Sequence, residues 1–158
     1  MKDSSDIIIR PASEKDMPAL LEFEQGVILA ERPFDPTLKE SDINYYDLNY
    51  FLESPDVELL VAETDGEIIA SGYARIMESK VYQQFERHAY LGFMYVKPAY
   101  RGKGINRLIL DDLKKWVLKQ GLTELRLQVY QENISAIKAY EKTGFEKHMI
   151  EMRMGLEG

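Results

Sequence analysis

The sequence lacks cysteine altogether and is poor in two other residue types, with two histidines and one tryptophan. Without cysteine there is no disulfide bond, no thiolate metal ligand and no cysteine nucleophile, and the chain suits a reducing compartment. His88 and His148 lie far apart in the sequence, so we expect no metal site. The chain also lacks a secretory leader and any apolar run of the about 18–20 residues that span a bilayer. These absences favour a cytoplasmic protein that does not enter the membrane.

Acidic residues outnumber basic ones, 27 against 20, which gives a formal net charge of −7 and a pI near 5.0. A chain of this charge is not expected to bind nucleic acid. The charge is unevenly spread: residues 1–60 hold fourteen acidic and five basic side chains, whereas residues 97–119 hold seven basic and two acidic ones. A basic segment in an acidic chain predicts an anionic ligand there and a cationic one elsewhere.

The N-terminal part of the chain predicts one strand and two helices. The opening apolar run favours a strand, and Ser13 with Asp16 has the spacing of a capping box. The helix that follows must end near residues 31–36, whose two prolines cannot continue it. Asp42 is the predicted cap of a second helix rich in aromatic residues, namely Tyr45, Tyr46, Tyr50 and Phe51.

The rest of the chain alternates between strand and helix patterns. Asp65–Gly66 is a type I′ turn pair between apolar runs and predicts a β-hairpin. Further strands are expected at 88–98, 124–130 and 145–154, and helices at 104–120 and 133–144. The strands around the longer helix form a βαβ unit and should be parallel, while the tight connections elsewhere require antiparallel pairing. The predicted fold class is α/β, with a mixed, mostly antiparallel sheet, one parallel βαβ unit and flanking helices, in a single domain over residues 1–158.

The segment from Arg101 to Arg107 reads RGKGINR and opens the longer helix. Gly102 and Gly104 let backbone N–H groups approach a ligand without an intervening Cβ. The first turn of a helix leaves N–H groups unpaired at the positive end of its dipole, which suits phosphate oxygens. The spacing fits neither a Walker A loop nor a dinucleotide fingerprint, which needs a third glycine at position 107. The segment predicts a phosphate-binding loop of another kind, with a simple turn or a nucleotide site on another fold as alternatives.

These features resemble the GCN5-related N-acetyltransferases, the GNAT family. The acetyl-CoA loop of that family is written [Q/R]-x-x-G-x-[G/A], and Arg101-Gly-Lys-Gly104-Ile-Asn106 matches it except at the last position. A second family element, an Asn further along the chain followed by A…Y…GF, matches the segment from Asn133 to Phe145. The resemblance covers nearly the whole domain and is most specific over residues 90–146.

The resemblance implies an N-acetyltransferase that moves an acetyl group from acetyl-CoA, as co-substrate, to a primary amine by direct attack in a ternary complex. Tyr140 is then the general acid that protonates the leaving thiolate, and the backbone amide of Tyr95 polarises the carbonyl. Asn133 and Tyr140 contact the cofactor from the last helix. The other implied cofactor contacts are strand residues along the pantetheine arm and loop residues around the diphosphate: Met94, Tyr95, Val96, Arg101, Gly102, Lys103, Gly104, Ile105, Asn106 and Arg107.

The chain departs from the family pattern where many relatives place a general base. The strand before the loop carries no carboxylate, and Gln128 stands where some relatives have a glutamate. Glutamine cannot accept a proton at neutral pH, so the amine must lose its proton to ordered water or to a carboxylate from elsewhere. The candidate carboxylates are Glu31, Asp35 and Glu78. Asn106 at the last loop position leaves open how closely the first helical turn approaches the phosphates.

The expected acceptor is a small-molecule amine or the amine of a peptide or protein, and the oligomeric state is left open, a homodimer included. Glu31 and Asp35 lie in the acidic part of the chain close to several tyrosines. Carboxylates attract a protonated amine and aromatic faces can hold it, so a cationic acceptor is predicted there. The alternative function is a non-catalytic acyl-CoA-binding or sensing module on the same fold. The missing strand carboxylates favour that alternative, and Tyr140 opposes it.

Overall fold

The computed structural model describes residues 6–157, which fall into two compact units, one up to Gln128 and one from Val129. The first unit is built on a five-stranded sheet whose strand order follows the sequence. The strands are β1 (Ile8–Pro11), β2 (Val57–Thr64), β3 (Glu67–Glu78), β4 (Arg87–Val96) and β5 (Leu125–Arg126). The first four strands pair antiparallel, and β5 pairs parallel with β4. The predicted mixed sheet with one parallel βαβ unit is therefore confirmed.

Helices cover both faces of this sheet. The α-helices are α1 (Met17–Glu31), α2 (Leu48–Glu53), α3 (Ile105–Lys119) and, in the second unit, α4 (Ile134–Lys142). A Cβ on Gly72 would touch Ile109 of α3, whereas the ring of the next residue, Tyr73, packs on Phe51 of α2. Successive strand residues point to opposite faces, so α3 lies on one face and α2 on the other. No helix within residues 6–157 is long and apolar enough to cross a membrane.

The core on the α1 and α2 face combines aromatic and aliphatic side chains. Its buried members are Leu20, Phe23, Leu48, Phe51, Val57, Leu59, Val61, Tyr73 and Phe93. On α1, Leu21 is 47% exposed, whereas Glu24 is buried. On the opposite face α3 buries an aliphatic stripe of Ile105, Ile109, Leu110, Leu113 and Val117.

Several local signals in the sequence are confirmed. Asp65 and Gly66 have φ of 50° and 78°, as a type I′ turn between β2 and β3 requires. Gly121 and Gly144, just beyond the ends of α3 and α4, have φ of 78° and 109°, the left-handed region in which helices commonly end. The backbone N–H of Ser13 donates to the Asp16 carboxylate at 2.8 Å, one half of the predicted capping box.

The second helix begins later than predicted, because the cap is Asp47 and not Asp42. The Asp47 carboxylate accepts a hydrogen bond from the N–H of Tyr50 at 3.2 Å, and α2 starts at Leu48. The N–H groups of Tyr45 and Tyr46 donate to the side chain of Glu24. This long-range contact holds the two tyrosines in a loop in front of α2, and sequence spacing does not reveal it.

Two strand predictions are wrong in extent. The strand expected over 124–130 is reduced to Leu125–Arg126, because β4 bends away after its first residues and offers no further pairing. The segment 145–154 was predicted as a strand but contains none in the part of the chain that the structure describes. Its alternating pattern is present, but strand formation also needs a hydrogen-bonded neighbour, which the second unit does not provide.

A β-bulge in β4 causes the bend. In the register of β3 with β4, Ser71 lies opposite Tyr95 and Tyr73 opposite Gly92, so Phe93 and Met94 share one partner residue. Phe93 has φ of 55°, rare for a side chain of this size. The hydroxyl of Ser71, which is fully buried, donates to the carbonyl of Phe93 at 3.0 Å and stabilises this conformation.

We expect Gly92→Ala to destabilise the protein by about 1–3 kcal/mol, the usual cost of overpacking. A Cβ at this position would lie 2.5 Å from the ring and hydroxyl of Tyr73, next to the bulge. Urea unfolding followed by circular dichroism measures the change. The control is Gly155→Ala, whose new Cβ would meet only the Arg153 side chain, at 3.5 Å. Equal urea midpoints for the two variants would contradict the close approach.

Candidate active site

The bulge leaves one edge of β4 without a strand partner inside the first unit. β5 pairs only with Ala89 and Tyr90, so the two strands separate beyond that point. The N–H of Lys97 donates to the carbonyl of Ile69 at 2.8 Å, which fixes which residues of β4 face β3. Because pairing alternates along an antiparallel strand, the amide of Tyr95 faces β3, and those of Met94 and Val96 face the open edge.

The loop after β4 has the backbone that its glycines predict. Gly102 and Gly104 both have φ of 78°, and a Cβ built on either would meet no atom within 4 Å. Gly104 is the N-cap of α3, so the unpaired N–H groups of the first helical turn begin there. The loop is exposed and open. Its geometry fits an anionic group such as a diphosphate bound by backbone amides.

The cations of the loop are only partly committed to protein contacts. Arg101 donates from Nε to the carbonyl of Val96 at 2.8 Å, and its guanidinium lies 5.5 Å from the centroid of the Tyr95 ring. Lys103 is 5.5 Å from the ring of Tyr100, and Arg107 makes a long ion pair of 3.8 Å with Asp111. These contacts keep positive charge at the loop and leave its backbone amides accessible.

Glu31 lies at the end of α1, on the opposite face of the sheet from α3, and is half-buried. Burial raises the pKa of its carboxyl; the nearby Tyr45 hydroxyl opposes this shift and the negative charge of Asp35 adds to it. The Tyr45 hydroxyl is itself buried and has no hydrogen-bond partner of acceptable geometry. Glu31 is therefore a carboxylate that water solvates poorly and that no cation neutralises within the described residues.

Three tyrosines lie near Glu31, and a fourth, Tyr73, packs on one of them with 6.0 Å between the ring centroids of Tyr46 and Tyr73. Together they form what we call the tyrosine cluster: Tyr45, Tyr46, Tyr73 and Tyr90. Burial is the main cause of the raised pKa of each ring hydroxyl, and it raises that of Tyr73 to about 12. The charge of Glu31 adds to the shifts of Tyr45, Tyr46 and Tyr90 and so lies close to all three. Tyr90 also donates to Oε1 of Gln128 at a limiting 3.5 Å. The structure thus brings Glu31 and Gln128 to the same tyrosine, beside the opening between β4 and β5.

Side chains of α1 hold the loop that carries Tyr45 and Tyr46. Glu24, which is 1% exposed, accepts from the N–H of Tyr45 at 2.8 Å and from that of Tyr46 at 2.7 Å. Gln25 donates to the carbonyl of Ile43 at 3.0 Å. Sequence reasoning missed Glu24, and the available signal was a carboxylate within the apolar stripe of α1.

Arg32 also holds this loop, through main-chain carbonyl groups. Its two terminal nitrogens donate to the carbonyls of Lys39 and Ser41 at 2.7 and 3.0 Å. Asp35 accepts from the N–H and hydroxyl of Thr37 at 2.9 and 2.5 Å, which closes a local turn. Asp35 is therefore close enough to affect Glu31 but is partly occupied by its own loop.

Glu78 is not part of this assembly. It ends β3 opposite Arg87 and is exposed, five residues beyond Tyr73, a distance of roughly 17 Å along the strand. Alternation along β3 also directs its side chain to the α3 face, whereas Tyr73 belongs to the α1 and α2 face. The structure separates Glu78 from Glu31, so it is not a candidate base.

Asn133 and Tyr140 lie in the second unit. Asn133 caps α4 by accepting from the N–H of Ala136 at 3.3 Å, as predicted, which leaves its amide nitrogen available as a donor. Tyr140 is half-buried, and its ring makes an edge-on contact with Phe145 at 5.7 Å. The carbonyl of Tyr140 accepts hydrogen bonds from the N–H groups of Thr143 and Phe145. These bonds stabilise the C-terminal end of α4, which carries the Tyr140 side chain.

Sequence comparison identifies relatives of this chain among acetyltransferases. An acetyltransferase of Pectobacterium atrosepticum is 34% identical over 92 residues, 58% of this chain and 59% of that protein. An aminoglycoside N(6′)-acetyltransferase type 1 of Stenotrophomonas maltophilia is 29% identical over 103 residues, 62% of this chain and 66% of that protein. The chain thus spans less than two thirds of the length of these relatives.

Solved structures share the fold at low sequence identity. A mutant protein from Bacillus halodurans superposes with a TM-score of 0.84 at 19% identity, covering 95% of this chain and 99% of that one. A predicted acetyltransferase from Clostridium acetobutylicum, solved with acetyl-CoA, gives 0.73 at 21% identity, covering 95% and 96%. The sequence profile of the acetyltransferase (GNAT) family matches residues 25–145, which include the second half of α1, the sheet from β2 onward, the glycine loop and α4. The chain therefore belongs to the GNAT acetyltransferase family.

Proposed function

We propose that the protein uses acetyl-CoA to acetylate a cationic primary amine. The observation that carries this proposal is the half-buried Glu31, with its raised pKa, beside the point where β4 leaves its edge open. A carboxylate in that position attracts an ammonium group and can then accept its proton. Glu31 combines burial, a raised pKa and proximity to Tyr45, Tyr46 and Tyr90, whereas Glu78 is exposed at the far end of β3.

Acetyl-CoA supplies the acetyl group as an activated thioester. The amides of Gly102 through Arg107 are suited to its diphosphate, and the open edge of β4 at Met94 and Val96 is suited to its pantetheine arm. Tyr95 was predicted to polarise the carbonyl with its amide, but alternation turns this amide toward β3. We therefore reassign the polarising contact to the amide of Met94, which faces the opening.

Proton transfer in the proposal uses two groups. Glu31 takes the proton of the ammonium, and the raised pKa of its carboxyl makes it a stronger base than an exposed glutamate. Tyr140 supplies a proton to the leaving thiolate, a role that rests on the match of its helix to the family motif. Gln128 accepts a hydrogen bond from Tyr90 and takes no part as a base.

Two relatives support the choice of donor and acceptor. The Clostridium acetobutylicum protein of the same fold was solved with acetyl-CoA, which supports that donor here. The relative from Stenotrophomonas maltophilia is named for acetylating an aminoglycoside amine, which supports a small-molecule amine as acceptor. The acidic surroundings of Glu31 agree with an acceptor that arrives protonated.

CoA should raise the thermal unfolding midpoint of the protein, and Gly104→Asp should abolish this shift. The variant places a side chain and a negative charge where the diphosphate is proposed to bind, and a ligand stabilises only the state that binds it. Differential scanning fluorimetry with and without CoA measures the effect. The matched control is Gly121→Asp, which has the same φ of 78° and open surroundings at the other end of α3. An unchanged CoA shift in Gly104→Asp would refute the loop assignment.

Tyr140→Phe should lower kcat by roughly 10–10⁴-fold, because the leaving thiolate loses its proton donor, while affinity for CoA changes little. Steady-state thiol release and CoA titration measure the two quantities. Tyr82→Phe serves as control, since Tyr82 is 81% exposed in the loop between β3 and β4. Normal turnover by Tyr140→Phe would reduce Tyr140 to a packing residue.

Glu31→Gln should lower kcat/KM for the amine by about 10²–10⁴-fold and leave the KM for acetyl-CoA unchanged. In the wild type, kcat/KM should rise with pH through the raised pKa of Glu31, because only the ionised carboxylate accepts a proton. The variant should lose this limb of the pH profile. Asp35→Asn should raise the acceptor KM less strongly, and the exposed loop variant Glu40→Gln should behave as wild type. An unchanged pH profile in Glu31→Gln would exclude it as the base.

The same substitution should increase stability at neutral pH. A carboxyl group whose pKa is raised in the folded state favours folding when protonated, so its ionised form destabilises the fold. Glu31→Gln should therefore raise the thermal midpoint by about 1–3 °C near pH 7–8. The difference should disappear below the ordinary pKa of glutamate, where Glu31 is protonated in both states. A thermal midpoint of Glu31→Gln below that of the wild type at pH 8 would contradict a destabilising effect of burying the ionised Glu31.

A further inference from the structure

Arg75 is a cation for which the described residues supply no anionic partner. It lies in β3, one residue pair beyond Tyr73 on the same face of the sheet, and is half-buried. Its Nε is buried and makes no hydrogen bond, and within residues 6–157 its side chain makes no ion pair. The chain has 27 acidic residues against 20 basic ones, so carboxylate partners are abundant elsewhere. The lack of a carboxylate partner at Arg75 therefore needs an explanation.

Aromatic contacts explain the position of the Arg75 side chain, but they do not provide acceptors for its N–H groups. The guanidinium carbon lies 5.9 Å from the ring centroid of Tyr50 and 5.7 Å from that of Phe51. Such contacts engage the face of the guanidinium, while its N–H groups point outward in its plane. A buried donor without an acceptor is costly, and in native proteins such a group calls for a specific explanation. Two parallel hydrogen bonds to a carboxylate are the geometry that a guanidinium matches best.

Arg75 and Glu31 are linked through the tyrosine cluster. Arg75 is the direct cross-strand partner of Tyr90, and partners of this kind have Cβ atoms about 5 Å apart on one face. The charge of Glu31 reaches the same Tyr90, and the charge of Arg75 reaches Tyr73. Tyr73 and Tyr90, which we call the tyrosine floor, therefore lie within electrostatic range of both a carboxylate and a guanidinium.

We propose that the acceptor is an amino carboxylate, an amine that also carries a carboxylate group, and that Arg75 binds this carboxylate. The inference rests on the proposed function, since it takes the amine to be held at Glu31. The acceptor then lies across the tyrosine floor with its ammonium at Glu31 and its carboxylate at Arg75. Polycations without a carboxylate, such as aminoglycosides, would place positive charge near Arg75 and are disfavoured.

The first experiment compares acceptors that differ only by one carboxylate. The pairs are tyrosine with tyramine, histidine with histamine, ornithine with putrescine and lysine with cadaverine, and kanamycin is a further arm. Thiol release from acetyl-CoA gives kcat/KM for each compound with the wild-type protein. In at least one pair we expect the carboxylate-bearing member to be preferred by about 10–100-fold, the range of a charge-assisted hydrogen-bonded pair.

Arg75→Met tests the residue itself. Methionine keeps the apolar length of the side chain against Tyr50 and Phe51 but removes the charge and the donors, so the preference within each pair should fall at least tenfold. Arg75→Lys, which keeps the charge without the planar fork, should retain part of the preference. Arg87→Met, on the exposed first residue of β4, is the control and should keep the wild-type ratio.

A binding measurement separates this inference from the proposed function. Thermal shifts are recorded with N-acetyltyrosine and N-acetyltyramine in the presence of CoA, and the expected result is a larger shift for the carboxylate that Arg75→Met removes. Turnover of any tested amine with equal preference within every pair, or preference for kanamycin, overturns the inference and leaves the proposed function standing. If no amine is turned over, the proposed function fails, and the thermal shifts alone test the inference. Equal shifts for the two N-acetyl compounds, or no shift with either, would then contradict carboxylate binding by Arg75.

Discussion

The bulge at Phe93 is the constraint on which the candidate site depends. One extra residue in β4 bends the strand away from β5 and exposes an edge of backbone groups that a regular sheet would have paired. The same bulge directs the Phe93 ring onto Tyr46, with 4.5 Å between the ring centroids, so the open edge of β4 and the packing of the tyrosine cluster have one structural cause. The positive φ is stabilised by the Ser71 hydroxyl and by glycines at 72 and 92, which leave room for Met94 and Tyr73.

Glu24 and Glu31 lie about two helical turns apart on α1, and their different surroundings give the same type of side chain two different roles. Glu24 is fully buried and is satisfied by two backbone N–H groups, so its charge is used to hold a loop. Glu31 is only half-buried, and within residues 6–157 the groups that affect its carboxyl are the Tyr45 hydroxyl and the negative charge of Asp35. A buried carboxylate whose oxygens accept hydrogen bonds from the protein has a structural role, whereas a carboxylate that lacks such donors is available to bind a substrate.

The sequence predicted the features that are encoded locally. The hairpin turn at Asp65–Gly66, the helix ends at Gly121 and Gly144 and the parallel βαβ unit depend on neighbouring residues or on connection length. Features that depend on distant partners were not predictable in the same way. The start of α2 was misplaced because Glu24 reaches across twenty residues of chain to Tyr45 and Tyr46.

The candidate site shows the same division. The glycine loop and the helix of Tyr140 carry motifs, and the structure has a turn and a helix at those residues; their roles stay predictions. The choice among Glu31, Asp35 and Glu78 needed burial and strand alternation, which no motif contains. That the Tyr95 amide faces β3 and not the open edge follows from the register of β3 with β4. The one extra residue in β4 sets this register, and the sequence does not reveal it.

Hydrogen bonds to main-chain groups hold the loop between α1 and α2. Arg32 and Gln25 bind carbonyl groups of Lys39, Ser41 and Ile43, and Glu24 binds amides of Tyr45 and Tyr46. Main-chain groups are present whatever residue occupies a position. The side chains of Lys39 and Ser41 are exposed, so exchanges at these two positions can change the surface of the loop while its hydrogen bonds to Arg32 persist. Tyr45 and Tyr46 lack this freedom, because the Tyr46 ring also packs on Tyr73 and Phe93 and the Tyr45 hydroxyl is buried.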